Sequence, residues 1–236
     1  MTLEVNIHDA QTSILRELLF YTSVNFAKLQ KLSGLSSDHF NFHLQKLIDS
    51  GLVAKLSRGQ YALTPRGKEY ANKLDTDNNT IERQPKVSVI LVVERELDGA
   101  KQYVFQKRLK HPYYGYLGLI SGKVRWGELI IETAKRELLE ETGLIADCSI
   151  SGVYHEMAYQ HESGDQLEDK IFFIVHCVNT KGDLVKKFEG GENKWMTLDE
   201  ALIEPKTFKN LDMKINFVYS NVKITELSVE CEKDVF

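Results

Sequence analysis

The stretch Gly122-Lys-Val-Arg-Trp-Gly-Glu128-Leu-Ile-Ile-Glu-Thr-Ala-Lys-Arg136-Glu137-Leu138-Leu-Glu140-Glu141-Thr-Gly143-Leu144 decides how this chain is read. Apolar residues at helical spacing predict one strong helix over about 128–142. On that helix Glu137, Glu140 and Glu141 fall within an arc of about 100°. Three like charges so close repel one another, and a bare helix gains nothing from them. Ile131, Ala134 and Leu138 form an apolar stripe bordering the acidic one, so the carboxylates sit where the helix meets its core. Partial burial there raises the cost of leaving them unpaired. Hard divalent cations with a preference for carboxylate oxygens remove that cost, and Mg²⁺ or Mn²⁺ is the expected ion. Arg136 precedes Glu140 by four residues and is placed to pair with it. Gly143 supplies the left-handed residue that ends the helix, and Gly122 allows close approach of the backbone to a metal or phosphate. A plain solvated acidic face is the alternative reading, and it suits Glu132 and Lys135.

The fixed points Gly122, Glu128, Arg136, Glu137, Glu140, Glu141 and Gly143, with apolar Leu138 and Leu144, resemble the Nudix box without a departure. The resemblance extends over about residues 86–219. Phe105-Gln106-Lys107-Arg108 is similar to the family's second strand, Gly115–Gly122 to the loop entering the box, and Asn193–Leu202 to a late strand and its following helix. Ile120-Ser121-Gly122 departs from the family's usual Pro-Gly-Gly. The resemblance implies an α/β (α+β) sandwich of mixed sheet and helices that hydrolyses a phosphoanhydride bond in a nucleoside diphosphate linked to another moiety. It implies Glu137, Glu140, Glu141, Arg136 and Glu128 as catalytic residues and Gly122 with the three glutamates as metal-binding ones. Which glutamate is the base stays open, and a further base or ligand often comes from a later loop. Glu156, Glu162, Glu168 and Asp169 are candidates, each also readable as a plain surface acid. Arg108, Tyr114 and Tyr116 are expected to bind substrate. Tyr113, Tyr114 and Tyr116 flank Gly115 and read equally as base-stacking or packing residues. The substrate is open: no proline lies between Pro112 and Pro205, as bacterial ADP-ribose hydrolases would have, and Tyr159 falls near a tyrosine of dinucleoside-polyphosphate enzymes.

Outward from the box, the chain of 236 residues has an ordinary soluble composition, 42% hydrophobic and 27% charged. No apolar run of about 18 residues predicts a membrane span, and no signal-peptide pattern is visible. Cys148, Cys177 and Cys231 are widely spaced, form no metal or disulfide pattern, and suit a reducing cytoplasm; buried packing is their expected role. A polar run over 75–85 divides a front domain, 1–75, from a rear domain, 86–236, with 76–85 as linker. The front domain carries nine Lys/Arg against seven Asp/Glu and the rear domain 20 against 25, so no strongly basic surface announces nucleic acid.

The front domain reads as helix, helix, helix, hairpin, helix. Ser36 or Ser37 is expected to cap the third helix with its side chain, Arg58-Gly59 to turn the hairpin, and Thr64-Pro65 to start the last helix. His43–Val53 and Tyr61–Thr64 carry its resemblance to a small winged helix-turn-helix domain of the bacterial repressor type. That resemblance implies contact with double-stranded DNA through His39, Phe42, Gln45 and Lys46 on the third helix and Arg58 on the wing. The helix carries no arginine and two acids, Asp38 and Asp49, so homodimerisation or docking through Phe42 is the competing role. Two functions follow: a hydrolase with an accessory winged helix, or a transcription regulator sensing a nucleotide metabolite through its Nudix domain.

Overall fold

The computed structural model describes residues 8–56, 59–74 and 83–232. The chain divides into two compact units, Met1–Arg83 and Gln84–Phe236. Arg58 and most of the expected linker lie outside the described residues.

In the first unit, helices α1 (Asp9–Leu19), α2 (Phe26–Ser33) and α3 (Ser37–Asp49) precede strands β2 (Val53–Lys55) and β3 (Gln60–Leu63) and helix α4 (Pro65–Ala71). A two-residue strand, β1 (Val24–Asn25), pairs with the outer edge of β3, giving the three-stranded sheet β1-β3-β2. Three helices, a pair of antiparallel strands and a last helix thus follow one another in the expected order. Its core gathers Ile14, Leu15 and Leu18 from α1, Leu29 from α2 and Phe40, Leu44 and Leu47 from α3. Gly34 closes α2 in the left-handed region, and Thr64 caps α4 by accepting from the Gly67 N–H, with proline in the first turn. Ser36 does stand at the start of α3, but its side chain makes no capping hydrogen bond; its extended backbone starts the helix unaided.

The second unit is an eight-stranded mixed sheet between helices. Its strands are β4 (Lys86–Leu97), β5 (Ala100–Arg108), β6 (Leu117–Lys123), β7 (Ile145–Gln160), β8 (Gln166–Lys181), β9 (Lys187–Phe188), β10 (Gly191–Met196) and β11 (Ile224–Cys231). They lie in the order β11-β7-β8-β4-β6-β5-β10-β9. β4 runs parallel to β8 and β11 parallel to β7. Helix α5 (Ile130–Thr142) follows β6, and α6 (Leu198–Leu202) and α7 (Leu211–Asn216) follow β10.

β4 has buried residues on both faces, which explains its unbroken run of β-branched and aliphatic side chains. Val89, Leu91 and Val93 pack with Ala134 and Leu138 of α5. Ile90 and Val92 pack on the other side with Leu211 and Ile215 of α7. The stretch expected as a loop entering the box is largely strand β6, held between β4 and β5. Its glycines hide the alternation a strand normally shows: a Cβ on Gly118 would meet the Phe208 ring at 2.6 Å. β11 was not foreseen either, since its pairing partner β7 lies some 70 residues back along the chain.

Candidate active site

β6 delivers Gly122 to the side of α5, and this junction organises the site. An ideal Cβ at Gly122 would fall 1.9 Å from Cδ of Glu137. The glycine is therefore required first by the Glu137 side chain rather than by a metal or phosphate, and it seats that carboxylate against the strand. α5 ends at Gly143 with φ 72°, the left-handed cap the sequence called for.

Arg136 is the hub of the acidic cluster. Its Nε donates to Glu128 at 2.6 Å, and its Nη2 donates to the same carboxylate at 2.9 Å. Nη1 donates to Glu137 at 2.6 Å and to Glu140 at 3.2 Å. The expected Arg136–Glu140 pair exists but is the longest of these contacts. Glu128 lies in the turn before α5, where the guanidinium, helped by the Thr133 hydroxyl and the Arg125 N–H, holds its carboxyl down at about 2. Glu140 is exposed and also meets Arg125 at 3.5 Å. Glu132 and Lys135 are exposed, as a solvated face requires.

Glu141 differs from all of these. It is half-buried, accepts a hydrogen bond from Gln106 at 2.9 Å, and has no salt bridge among the described residues. Burial pushes its pKa up, and the neighbouring Glu137 charge adds to this. Gln106 is itself oriented by Asn193 of β10, at 3.2 Å.

A cleft of about 540 Å³ opens beside this junction, a size suited to a nucleotide-scale ligand. Gly122, Glu137 and Glu141 line one side, and Glu156 and Glu168, from β7 and β8, line the other. Of the four later acids weighed from the sequence, these two reach the cleft. Glu162 is exposed in the β7–β8 turn, and Asp169 pairs with His155 at 2.8 Å. Glu156 accepts from Tyr154 Oη and from Lys214 Nζ, both at 2.9 Å. Glu168 pairs with Lys170 and, at 3.6 Å, with Lys86.

Arg108 lines the cleft, but its guanidinium donates to the carbonyls of Lys110 at 3.0 Å and Pro112 at 2.6 Å. It thus pins the following loop. Of the three tyrosines, Tyr113 borders the cleft, while Tyr114 and Tyr116 are not among its lining residues. Tyr116 packs edgewise on Tyr113 at 5.7 Å and on Phe208, and exposed Tyr114 stacks on His111. Tyr113 itself stands in the left-handed region, at φ 66°. Phe208, Phe172 and Lys214 were missed as lining residues, because nothing in the local sequence distinguishes them from packing residues.

No three His, Cys, Asp or Glu side chains converge on one point among the described residues. The expected three-glutamate cluster is thus divided: Glu137 and Glu141 face the cleft, whereas Glu140 faces the arginines. The donor set nevertheless fits a hard divalent cation. Two carboxylates and a glycine backbone stand together, and the half-buried Glu141 makes no salt bridge among the described residues, Lys110 and Arg108 acting on it only through space.

This sheet, flanked by a helix that sets glutamates at a cleft, defines the class of domain. The NUDIX domain description matches residues 82–216, over half of the chain, and the chain belongs to the Nudix family. A curated ADP-ribose pyrophosphatase of Methanocaldococcus jannaschii is 33% identical over 99 residues, 40% of this chain and 56% of that protein. Two solved structures share the fold. The mutator MutT protein of Bacillus halodurans has a TM-score of 0.50 at 21% identity, covering 64% of this chain and 93% of its own. The NUDIX domain of Shewanella oneidensis NrtR, solved with ADP ribose, has a TM-score of 0.50 at 18% identity, covering 66% and 97%.

Proposed function

We propose that the rear unit is a metal-dependent hydrolase of a phosphoanhydride bond in a nucleoside diphosphate linked to a second group, with an ADP-ribose-like compound as first candidate. The observation that carries this reading is Glu141, a half-buried acid at the cleft that makes no salt bridge among the described residues. Glu137 and Glu141, with the backbone around Gly122, would hold Mg²⁺ or Mn²⁺. Such an ion would neutralise phosphate oxygens and lower the pKa of an attacking water. Arg136 holds Glu137 and Glu128 in place. Lys170 and Lys86 put two positive charges beside the single charge of Glu168, a balance that attracts the diphosphate. Glu140 would join at the outer edge once its arginine contacts yield. The relative from M. jannaschii supports ADP-ribose as the first substrate to test.

Purified protein incubated with ADP-ribose, NADH, dinucleoside polyphosphates and nucleoside triphosphates is expected to hydrolyse at least one of them with Mg²⁺ or Mn²⁺ and none with chelator. Absence of metal-dependent turnover of every compound would reject the hydrolase.

A second reading, transcription regulation through the winged helix, draws on the solvent-exposed face of α3. His39, Phe42, Gln45 and Lys46 are all exposed there, with Phe42 at 55%. Gln45 donates to Asp49 at 2.8 Å, and Lys46 sits over the Phe42 ring.

A further inference from the structure

The hydrolase reading makes no use of two thiols that meet beneath the box helix. Cys148 of β7 and Cys177 of β8 stand directly opposite each other in the antiparallel ladder, with regular pairs on either side, Asp147↔Val178 and Ser149↔His176. Their sulfurs lie 3.4 Å apart, although the residues are 29 positions apart in sequence. Both belong to the face of the sheet that α5 covers. Cys177 is wholly buried there with Ala134 and Leu138, and Cys148 is half-buried against the same cluster. Facing residues of an antiparallel pair have Cα atoms about 4.5–5.5 Å apart, inside the range of about 4.4–6.8 Å that a disulfide requires. The sulfurs therefore need to close only about 1.3 Å to reach the bond length of about 2.05 Å. The third cysteine, Cys231, meets the Tyr113 hydroxyl instead, at 3.4 Å.

The two thiols are chemically unequal. The hydrogen bond from Cys177 and the charge of Lys135 on α5 lower the pKa of Cys148, while the same bond and burial raise that of Cys177. Cys148 is thus the partner that forms a thiolate and the one a small solute reaches. Packing accounts for a buried cysteine, but not for a second, half-buried one at the single position facing it. We propose that Cys148 and Cys177 form a redox-active dithiol that hydrogen peroxide closes, in the folded domain, to a disulfide fastening β7 to β8. The Cys148 thiolate attacks one peroxide oxygen and breaks the O–O bond. This leaves Cys148 as a sulfenic acid and releases hydroxide, which takes up the proton the thiol lost. The Cys177 sulfur then attacks that of Cys148; the S–S bond forms, the S–O bond breaks, and the Cys177 proton leaves with the oxygen as water. Two thiols and one peroxide become one disulfide and two waters, the sulfurs losing two electrons and the peroxide gaining them. Exchange with an external thiol reopens the bond.

The test treats the folded full chain with hydrogen peroxide, blocks the remaining thiols with iodoacetamide in denaturant, and maps the peptides by mass spectrometry. Loss of two hydrogens is expected, with one cross-linked peptide pair joining Cys148 to Cys177 and with Cys231 left to alkylate. Dithiothreitol should restore all three thiols. Cys177→Ser is expected to stop Cys148 at the sulfenic acid, trapped by dimedone at least about tenfold more than in the parent, and Cys148→Ser to leave Cys177 unoxidised. Should Cys177→Ser fail to fold, Cys177→Ala is expected to give the same trapping. The oxidised parent is expected to melt at least about 4 °C above the reduced one, because the link restricts the unfolded chain. Three free thiols after peroxide, oxidation of Cys148 to sulfinic acid in place of the cross-link, a bond to Cys231 or between two chains, or closure only in denaturant would overturn the dithiol. A Tm unchanged or lowered by oxidation would overturn its role in fastening the strands.

Discussion

Glu141 holds the two tendencies that matter at this site, a charge and a surrounding that resists it. Its folded-state pKa lies above the unfolded carboxylate value of 4.5, because burial and Glu137 disfavour ionisation. Folding therefore favours the protonated form: that stability is fully present below about pH 4.5 and is lost as pH rises through the folded pKa. Glu141→Gln is accordingly expected to raise the Tm of chelated protein at neutral pH, with the difference shrinking toward pH 4; a Tm difference independent of pH would contradict this. With magnesium the same variant is expected to lose at least about a hundredfold in turnover, as when metal-assisted charge stabilisation is removed. Near-normal turnover would take Glu141 out of the metal site. Glu128 has the opposite sign. Its carboxyl is held down at about 2 by Arg136, so its contribution is present above about pH 4.5 and lost as pH falls toward 2. Removing Arg136 by Arg136→Met should steepen the loss of activity, since Glu137 and Glu128 lose a common anchor. Initial rates at saturating magnesium, compared with Tm, separate that effect from unfolding.

At the level of elements, the site depends on how closely α5 packs against β6. Gly122→Ala puts a methyl group into the Glu137 side chain, an overpacking that typically costs about 1–3 kcal/mol. Loss of most turnover together with a lower Tm is expected. An alanine variant with full activity would show that Glu137 can sit elsewhere and still function. Gly143→Ala tests the other end of the helix. Its φ is 72° and a Cβ would come within 2.9 Å of Val185, so destabilisation of more than about 1 kcal/mol is expected from denaturant titration, with a smaller effect on catalysis than at Gly122. The contrast between the two glycines is the measurement: one supports the site, the other the helix end. Much of this level was legible in advance. The helical periodicity located α5 to within two residues at its start, and the glycine after it marked its end. β6 was not legible, because a strand containing Gly118 and Gly122 shows little alternation and draws its stability from the strands on either side.

For the whole molecule, the question is whether the front unit reads DNA. If it does, binding should weaken steeply with salt, since phosphate contacts release counterions. Arg58→Ala should then weaken binding to all sequences alike, and Gln45→Ala should change sequence preference. Retardation of fragments from the protein's own genomic neighbourhood, with and without candidate nucleotides, measures both. No binding above that to non-specific DNA at low salt would leave Phe42 as a dimerisation or docking contact. The sequence by itself determined the box and its helix, the order of helices and hairpin in the front unit, and the family, because these rest on local spacing and on residue types that few other structures require together. Only the tertiary structure decided that Glu140 pairs with Arg125 and Arg136 while Glu141 makes no salt bridge among the described residues, that Tyr113 rather than Tyr114 or Tyr116 borders the cleft, and that Cys148 and Cys177 are cross-strand neighbours with their sulfurs 3.4 Å apart. It also brought Lys214 to Glu156 across 58 residues of sequence. Such outcomes depend on which strands pair and how far the chain turns between them, and no local pattern encodes a contact made by packing distant segments onto the two faces of one sheet.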